Sequence, residues 1–366
     1  MAGKGWHAER LGRLRKALGE SKLDGVAIVP GPNMRYFTGV NSLLLERPFL
    51  LLVPKDGEAH LLAPALESGP YRTSPMPMEV HSWTDSQGSS TALKASAEGA
   101  RVRGRWGVEG KVPYLFFEKL EAAAKARYVG AENVLQGLRE IKDKGEEALL
   151  KKAGRILGDA FERFPEFIKE GETEAELARK ASGEIYSRGG TKVDDLLVQS
   201  GARAADPHAL PSSKKIARGE SIIIDIGSTY EGYYADITRT FCVGKSAAVE
   251  KVYDRVLEAE EKAIAASKAG VTAGKVDGTA RGVLLKAGMA KYFIHRTGHG
   301  LGLEVHEAPY IVEGSREKLR DGMCFTVEPG VYMKGSLGVR IEDDVLMKGG
   351  RGVELTKTPK EYGWWA

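Results

Sequence analysis

The chain has 366 residues, 42% of them hydrophobic and 28% charged, and a net charge of only +4. This length exceeds the roughly 100 to 200 residues of one compact core, so we expect two domains. The 54 basic and 50 acidic side chains are evenly mixed along the sequence. This balance argues against a basic surface for nucleic acid or an anionic membrane, and we expect neither partner.

The sequence contains no stretch of the ~20 apolar residues that cross a bilayer. Its first residues carry apolar side chains at helical spacing and lack the continuous apolar run of a secretory signal. The only cysteines, Cys242 and Cys324, are too few for a disulfide framework, and we interpret them as small buried hydrophobes. These features predict a protein of the reducing cytoplasm.

From Leu11 to about Tyr128 the chain alternates helical stretches with short aliphatic runs at 25–29, 50–53 and 102–108. Gly and Pro residues separate these runs, which is typical of a small α/β domain. A polar segment at 137–145 follows, and we place the domains at 1–139 and 140–366.

After this boundary, a set of apolar side chains shares one face of a predicted helix. The set comprises Leu149, Ala153, Ile156, Leu157, Ala160, Phe161 and Phe164. The next helix is predicted to begin at Thr173, because Glu176 completes a capping-box pattern.

Residues 221–241 read SIIIDIGSTYEGYYADITRTF, with two runs rich in Ile, Tyr and Thr around a turn-prone segment. This pattern predicts a β-hairpin. A turn centred between Tyr230 and Glu231 makes Asp225 and Asp236 cross-strand partners, with Cβ atoms about 5 Å apart. Because like charges repel at that distance, we expect a positive charge between them.

Residues 323–347 repeat this arrangement, since a turn centred on Gly335 sets Glu328 opposite Glu342. Solvated acids at strand ends are the alternative, because Asp and Glu are mostly exposed. However, Asp225 follows three isoleucines and Glu342 follows Ile341. An uncompensated charge in such apolar strands would be costly.

His299 lies in HRTGHGLGLEVH, whose glycines allow close backbone approach and disfavour a helix. A helical zinc pair of His295 and His299 is therefore disfavoured, and a dinucleotide-binding loop lacks the required glycine spacing. Four carboxylates and one imidazole match two divalent cations. Such a pair activates water and polarises an amide carbonyl, so this constellation predicts amide hydrolysis.

At these residues the sequence resembles the pita-bread metallopeptidases, which include methionine aminopeptidase, aminopeptidase P and prolidase. The matching positions are Asp225, Asp236, His299 in GHGLG, Glu328 in TVEPG and Glu342 in RIED. The resemblance implies two metals, Mn²⁺, Co²⁺ or Zn²⁺, with Asp236 and Glu342 as bridges. It also implies that Glu328 shuttles protons.

Further positions match the same family. His208 in ADPHALPS and His306 in EVHEAP correspond to residues that bind substrate and stabilise the oxyanion. His295, Tyr332 and Arg340 match substrate-binding positions of the proline-directed branch. The resemblance therefore implies short peptide substrates with proline at the second position.

The segment NMRYFTGV at 33–40 resembles the creatinase-type first domain. The resemblance implies a small α/β N-terminal domain, then a pita-bread catalytic domain with an antiparallel sheet and flanking helices, in a homodimer. Creatinase itself lacks the metal ligands, so the intact set argues against that activity.

We therefore predict an Xaa-Pro dipeptidase, with aminopeptidase P as the alternative and a non-enzymatic peptide-binding module as the more distant one. A dipeptidase needs a basic group for the substrate carboxylate. Arg47 in LLLERPFLL is our candidate, predicted to lie in a turn that connects two strands and that a homodimer would bring over a neighbouring site. The alternative for Arg47 is a solvated turn arginine.

Overall fold

The computed structural model describes residues 4–366 and contains two compact units, Met1–Arg139 and Glu140–Ala366. The strands of the first unit are β1 Gly25–Ile28, β2 Leu50–Pro54, β3 Ala59–Pro64, β4 Met78–Trp83, β5 Arg105–Val108 and β6 Arg127–Gly130. The first helices of the chain are α1 Lys4–Glu20, α2 Pro32–Thr38, α3 Ser90–Gly99, α4 Tyr114–Ala123 and α5 Glu132–Glu140.

The six strands of the first unit form one mixed sheet in the order β4-β3-β2-β1-β5-β6. The predicted strands at 25–29 and 50–53 are confirmed, whereas the one predicted at 102–108 begins only at Arg105. Sequence patterns did not indicate β3, β4 and β6. Strand β4 reads MEVHSW and is partly exposed along most of its length, so its apolar pattern is weak.

The helices of the second unit pack on its sheets. They are α6 Lys144–Phe161, α7 Glu174–Ser187, α8 Ala247–Ala266 and α9 Ala273–Lys286. The predicted apolar face of α6 is confirmed with two exceptions. Leu150 is buried where Leu149 is only partly so, and Phe164 lies beyond the end of the helix, although it packs in the same core. The capping box of Thr173 and Glu176 is also confirmed.

The strands of the second unit form antiparallel sheets. They are β7 Lys192–Ser200, β8 Ser221–Tyr230, β9 Tyr233–Cys242, β10 Gly298–Gly300, β11 Glu307–Ile311, β12 Cys324–Val327, β13 Gly330–Met333, β14 Leu337–Arg340, β15 Asp343–Lys348 and β16 Arg351–Glu354. The strand orders are β7-β8-β9, β11-β10-β12-β15-β16 and β13-β14.

The predicted hairpin of β8 and β9 is confirmed, but its turn lies one residue later than expected. Glu231 and Gly232 form the turn with φ angles of 49° and 76°, as in a type I′ turn. Asp236 therefore pairs with Gly227 and Asp225 with Thr238, so the predicted direct pairing of the two aspartates is wrong. Both carboxylates still lie on one face as diagonal neighbours.

The second hairpin has the predicted register. The β12–β15 and β13–β14 pairs share one register centred on Gly335. Glu328 and Glu342 lie between these paired segments, at the positions that this register sets opposite each other. A bridge between Thr238 and Glu342 joins this hairpin to β9. The acidic residues of both hairpins therefore belong to adjoining strands.

Two apolar cores support these strands. One packs the β7-β8-β9 sheet against α6 and α7, and the other packs β12 to β15 against α8 and α9. Cys242 and Cys324 are buried free thiols, as predicted. Within residues 4–366, every helix is too short or too polar to cross a membrane.

Candidate metal centre

The side chains predicted as metal ligands line one cavity of about 740 Å³ in the second unit. Asp225 comes from β8, Asp236 from β9 and His299 from β10. Glu328 directly follows β12, and Glu342 directly precedes β15. The cavity thus collects donors from two sheets and from the loop segments between their strands.

Three of these ligands form a compact group. The donor atoms of Asp236, His299 and Glu342 all lie within 4.8 Å of one another. Glu328 adjoins this group, because its Oε1 atom is 3.5 Å from Nε2 of His299. Asp225 has an arginine partner instead, since its Oδ2 atom is 2.5 Å from Nη2 of Arg340.

The buried carboxylates raise each other's pKa. Burial first, and then the charge of neighbouring acids, holds the pKa of Asp236 and of Glu342 well above the usual range. The Oδ1 atom of Asp236 is buried and has no hydrogen-bond partner among the described residues. A bound cation would remove both penalties, and this donor set suits hard or borderline divalent ions. The residues therefore fit a metal centre.

His299 is oriented as a neutral ligand. Its Nδ1 atom lies 3.1 Å from the carbonyl oxygen of Gly300, which only accepts, so Nδ1 carries the proton and Nε2 keeps its lone pair. Burial and the adjacent His306 lower the pKa of His299 to about 3. Thr326 accepts the backbone N–H of His299 at 3.1 Å and fixes the strand. Nε2 is therefore available to a cation.

Sequence reasoning missed several supporting residues. Thr238 donates a hydrogen bond of 2.6 Å to Oε2 of Glu342. Asp344 accepts the backbone N–H of Asp236 at 3.0 Å. Arg296 lines the cavity as well. The adjacent acids of RIEDD were a signal for Asp344, whereas Thr238 is recognisable only once the register is known.

The predicted substrate-binding residues His295, Tyr332 and Arg340 form one hydrogen-bonded chain. His295 donates from Nδ1 to the carbonyl of Arg296 at 2.7 Å, so its Nε2 accepts the Tyr332 hydroxyl at 2.8 Å. Arg340 donates to the Tyr332 oxygen at 2.8 Å and to Asp225 at 2.5 Å. Burial and the Arg340 charge lower the pKa of His295 to about 4, so the imidazole is neutral. The chain links the cavity wall to a predicted metal ligand.

His208 and His306 are exposed, and both line the cavity. The structure thus brings both predicted substrate-binding histidines to the site. Leu197, Leu210 and Val305 add apolar surface to the same cavity. These apolar residues were not predicted, because nothing in their local sequence separates them from core positions.

Arg47 belongs to the first unit and lies between α2 and β2. The expected turn between two strands is therefore wrong, since a helix precedes the segment. Its guanidinium forms two parallel bonds of 3.0 Å with the carboxylate of Asp85. It also lies 3.1 Å from Glu46. The guanidinium is thus already engaged within its own unit.

The fold and this site define a metallopeptidase. Residues 10–141 match the creatinase/prolidase N-terminal domain, and residues 148–349 match metallopeptidase family M24. The chain belongs to metallopeptidase family M24, and its second unit has the pita-bread fold.

Named relatives cover nearly the whole chain. The probable dipeptidase PepE of Mycobacterium tuberculosis H37Rv is 36% identical over 97% of this chain and 96% of its own. The crystal structure of recombinant prolidase from Thermococcus sibiricus has a TM-score of 0.92 and 39% identity, covering 97% of this chain and 98% of that one. The X-Pro aminopeptidase from Thermotoga maritima has a TM-score of 0.84 and 32% identity, covering 96% and 98%.

Proposed function

We propose that this chain is an Xaa-Pro dipeptidase that uses two divalent cations to hydrolyse the peptide bond preceding proline. The observation that carries the proposal is the buried group of Asp236, His299 and Glu342, whose donor atoms lie within 4.8 Å of one another in a cavity of about 740 Å³. Dipeptidase and prolidase relatives that span nearly the whole chain support the choice of substrate.

The two cations are assigned to the five predicted ligands. Asp225 would hold one metal, His299 and Glu328 the other, and Asp236 and Glu342 would bridge them. Mn²⁺, Co²⁺ and Zn²⁺ all suit an oxygen-rich site with one imidazole. Such a pair supplies Lewis acidity, which lowers the pKa of a nucleophilic water and polarises the scissile carbonyl.

Glu328 is the proposed proton shuttle. Burial, reinforced by the charge of Asp225, raises its pKa to about 7. That value belongs to the metal-free protein, and the neighbouring cations would lower it and keep the carboxylate ionised, ready to accept a proton. Glu328 would therefore take a proton from the attacking water and deliver it to the proline nitrogen as that nitrogen leaves.

The remaining cavity residues would position the substrate. His208 and His306 are exposed imidazoles that hydrogen-bond the substrate and stabilise the oxyanion as it develops. The chain of His295, Tyr332 and Arg340 fixes polar groups at the wall. The apolar side chains of the cavity suit the pyrrolidine ring of proline.

Aminopeptidase P is the second candidate, favoured by the similarity to an X-Pro aminopeptidase at nearly full coverage. The test is a substrate-length series with Xaa-Pro, Xaa-Pro-Yaa and Met-Ala-Yaa peptides, after metal removal and with each metal added back. A dipeptidase cleaves the first substrate best, and an aminopeptidase P cleaves the second. Cleavage of Met-Ala-Yaa alone would refute proline specificity.

A non-enzymatic peptide-binding module is the alternative from another class. It predicts lost ligands, whereas all five predicted ligands are present. The non-enzymatic alternative would be favoured if none of these peptides were hydrolysed with any of the metals.

The proposal includes a homodimer in the cytoplasm. Two free buried thiols, Cys242 and Cys324, support a reducing compartment. Sedimentation equilibrium tests the dimer, and a monomer at micromolar concentration would contradict it.

A further inference from the structure

A second group of potential metal ligands lies in the first unit, on neighbouring parallel strands. His60 lies on β3, whereas Glu79 and His81 lie on β4, the edge strand of the sheet. The register pairs His60 with Glu79. Residues two apart on a strand point to the same face, so the three side chains meet on one face of the sheet.

Their spacing matches that of tetrahedral metal ligands. The Nδ1 atom of His60 lies 3.0 Å from Nε2 of His81 and 3.4 Å from Oε2 of Glu79. The Nε2 atom of His81 lies 3.6 Å from Oε1 of Glu79. In a tetrahedral zinc site with bonds of about 2.0 to 2.1 Å, two ligand atoms are about 3.3 Å apart.

Local packing fixes His60 in this position. A Cβ atom on Gly99, the last residue of α3, would collide with the His60 ring, so glycine is required there. The His60 ring therefore packs directly against the end of α3. The carboxyl end of α3 carries a partial negative charge that favours a cation.

The group is accessible from solvent on one side. The His60 side chain is 7% exposed and that of Glu79 is 57% exposed. The His81 side chain is 14% exposed. The two histidines are therefore largely buried, whereas the exposed Glu79 leaves a path by which a cation and a water can reach the group. The proposed peptidase mechanism uses none of these residues.

We propose that His60, Glu79 and His81 form a binding site for a borderline divalent cation such as Zn²⁺, with water as the fourth ligand. The two histidines and one glutamate match the ligand types of known zinc sites with three protein ligands. Because the ligands come from two strands, the cation would fasten the edge strand β4 to β3.

The test uses the full chain with the peptidase centre disabled by Asp236→Asn and Glu342→Gln. This parent is stripped of metal, checked for folding by circular dichroism and titrated with Co²⁺, whose visible bands are intense in tetrahedral sites. We expect each chain to bind one Co²⁺ ion with tetrahedral bands, and Zn²⁺ to displace it. Adding His81→Gln should remove the bands and weaken Co²⁺ binding at least about 100-fold. Such a loss exceeds the typical effect of removing a residue that only supports a metal ligand.

Glu58→Gln is the matched control, because Glu58 is an exposed acid whose charge acts on His60 but which lies outside the cluster. It should keep the bands and the affinity. Equal Co²⁺ binding with and without His81→Gln, or no tetrahedral bands in the parent, would overturn the proposal.

A second measurement does not depend on the His81 variant folding. The ring ¹⁵N resonances of His60 and His81 in the parent should shift on addition of one equivalent of Zn²⁺. Unchanged resonances would also overturn the proposal. Both measurements read metal binding without substrate, so they are independent of the peptidase assignment.

Discussion

Replacing Glu328 by Gln should change how the stability of the metal-free protein depends on pH. Burial, followed by the charge of Asp225, raises the pKa of Glu328 from 4.5 to about 7. The folded state therefore binds this proton more tightly than the unfolded state does. The resulting stabilisation is complete below about pH 4.5 and is lost as the pH rises through about 7.

The size of the effect follows from the two pKa values. One pKa unit corresponds to about 1.36 kcal/mol, so the whole effect is about 3 kcal/mol. Between about pH 5 and pH 8 the parent should lose about 2 to 3 kcal/mol, because the unfolded carboxyl is already mostly ionised at pH 5. The charge of Glu328 also raises the pKa of Asp236 and of Glu342, so this difference is a minimum.

Urea unfolding of the EDTA-treated protein at both pH values measures the effect. From pH 5 to pH 8, the free energy of unfolding of Glu328→Gln should fall by about 2 to 3 kcal/mol less than that of the parent. Glu313→Gln, a change at an exposed glutamate, is the control and should behave as the parent does. Equal pH dependence in the parent and in Glu328→Gln would refute the reasoning. Saturating Mn²⁺ should abolish the difference, because bound metal keeps Glu328 ionised.

Three further predictions concern turnover. Asp236→Asn and Glu342→Gln should each abolish peptide hydrolysis through loss of an anionic bridge, and a variant that keeps two metals and full activity would contradict this. His208→Ala and His306→Ala should keep the metals but lower kcat about 100-fold or more, and loss of metal by elemental analysis would make either residue a ligand. Arg47→Ala should cost an Xaa-Pro dipeptide about 1.5 to 3 kcal/mol in kcat/KM relative to an Xaa-Pro-Yaa tripeptide, whereas equal losses would leave Arg47 without a role in reading the carboxylate.

The face shared by Asp225 and Asp236 could be predicted from the sequence although their pairing could not. Alternation along a strand has a period of two, and moving the turn by one residue shifts each cross-strand partner by two. The error therefore exchanged direct neighbours for diagonal ones and kept both carboxylates on one face. The turn itself depends on Glu231, a non-glycine residue with a positive φ of 49°, and no propensity would have selected it.

The hydrogen-bonded chain from His295 to Asp225 shows what sequence reasoning could not provide. Resemblance indicated His295, Tyr332 and Arg340 as separate substrate-binding positions. Their mutual contacts depend on how the segment between α9 and β10, which carries His295, meets the second hairpin. That meeting is a property of the tertiary structure. The same holds for Thr238, whose hydroxyl supports Glu342 across two strands that are far apart in sequence.

The ion pair of Arg47 and Asp85 limits what Arg47 can contribute to dipeptide preference. Both bonds of the guanidinium fork are 3.0 Å long, which is the bidentate geometry that a substrate carboxylate would require. Binding a substrate would then exchange one carboxylate for another, so loss of the Asp85 pair would subtract from the effect of Arg47 on kcat/KM. Exposed pairs of this kind contribute about 0 to 1 kcal/mol, so the exchange itself is inexpensive. The Arg47→Ala effect should therefore lie at the lower end of its range, near about 1.5 kcal/mol.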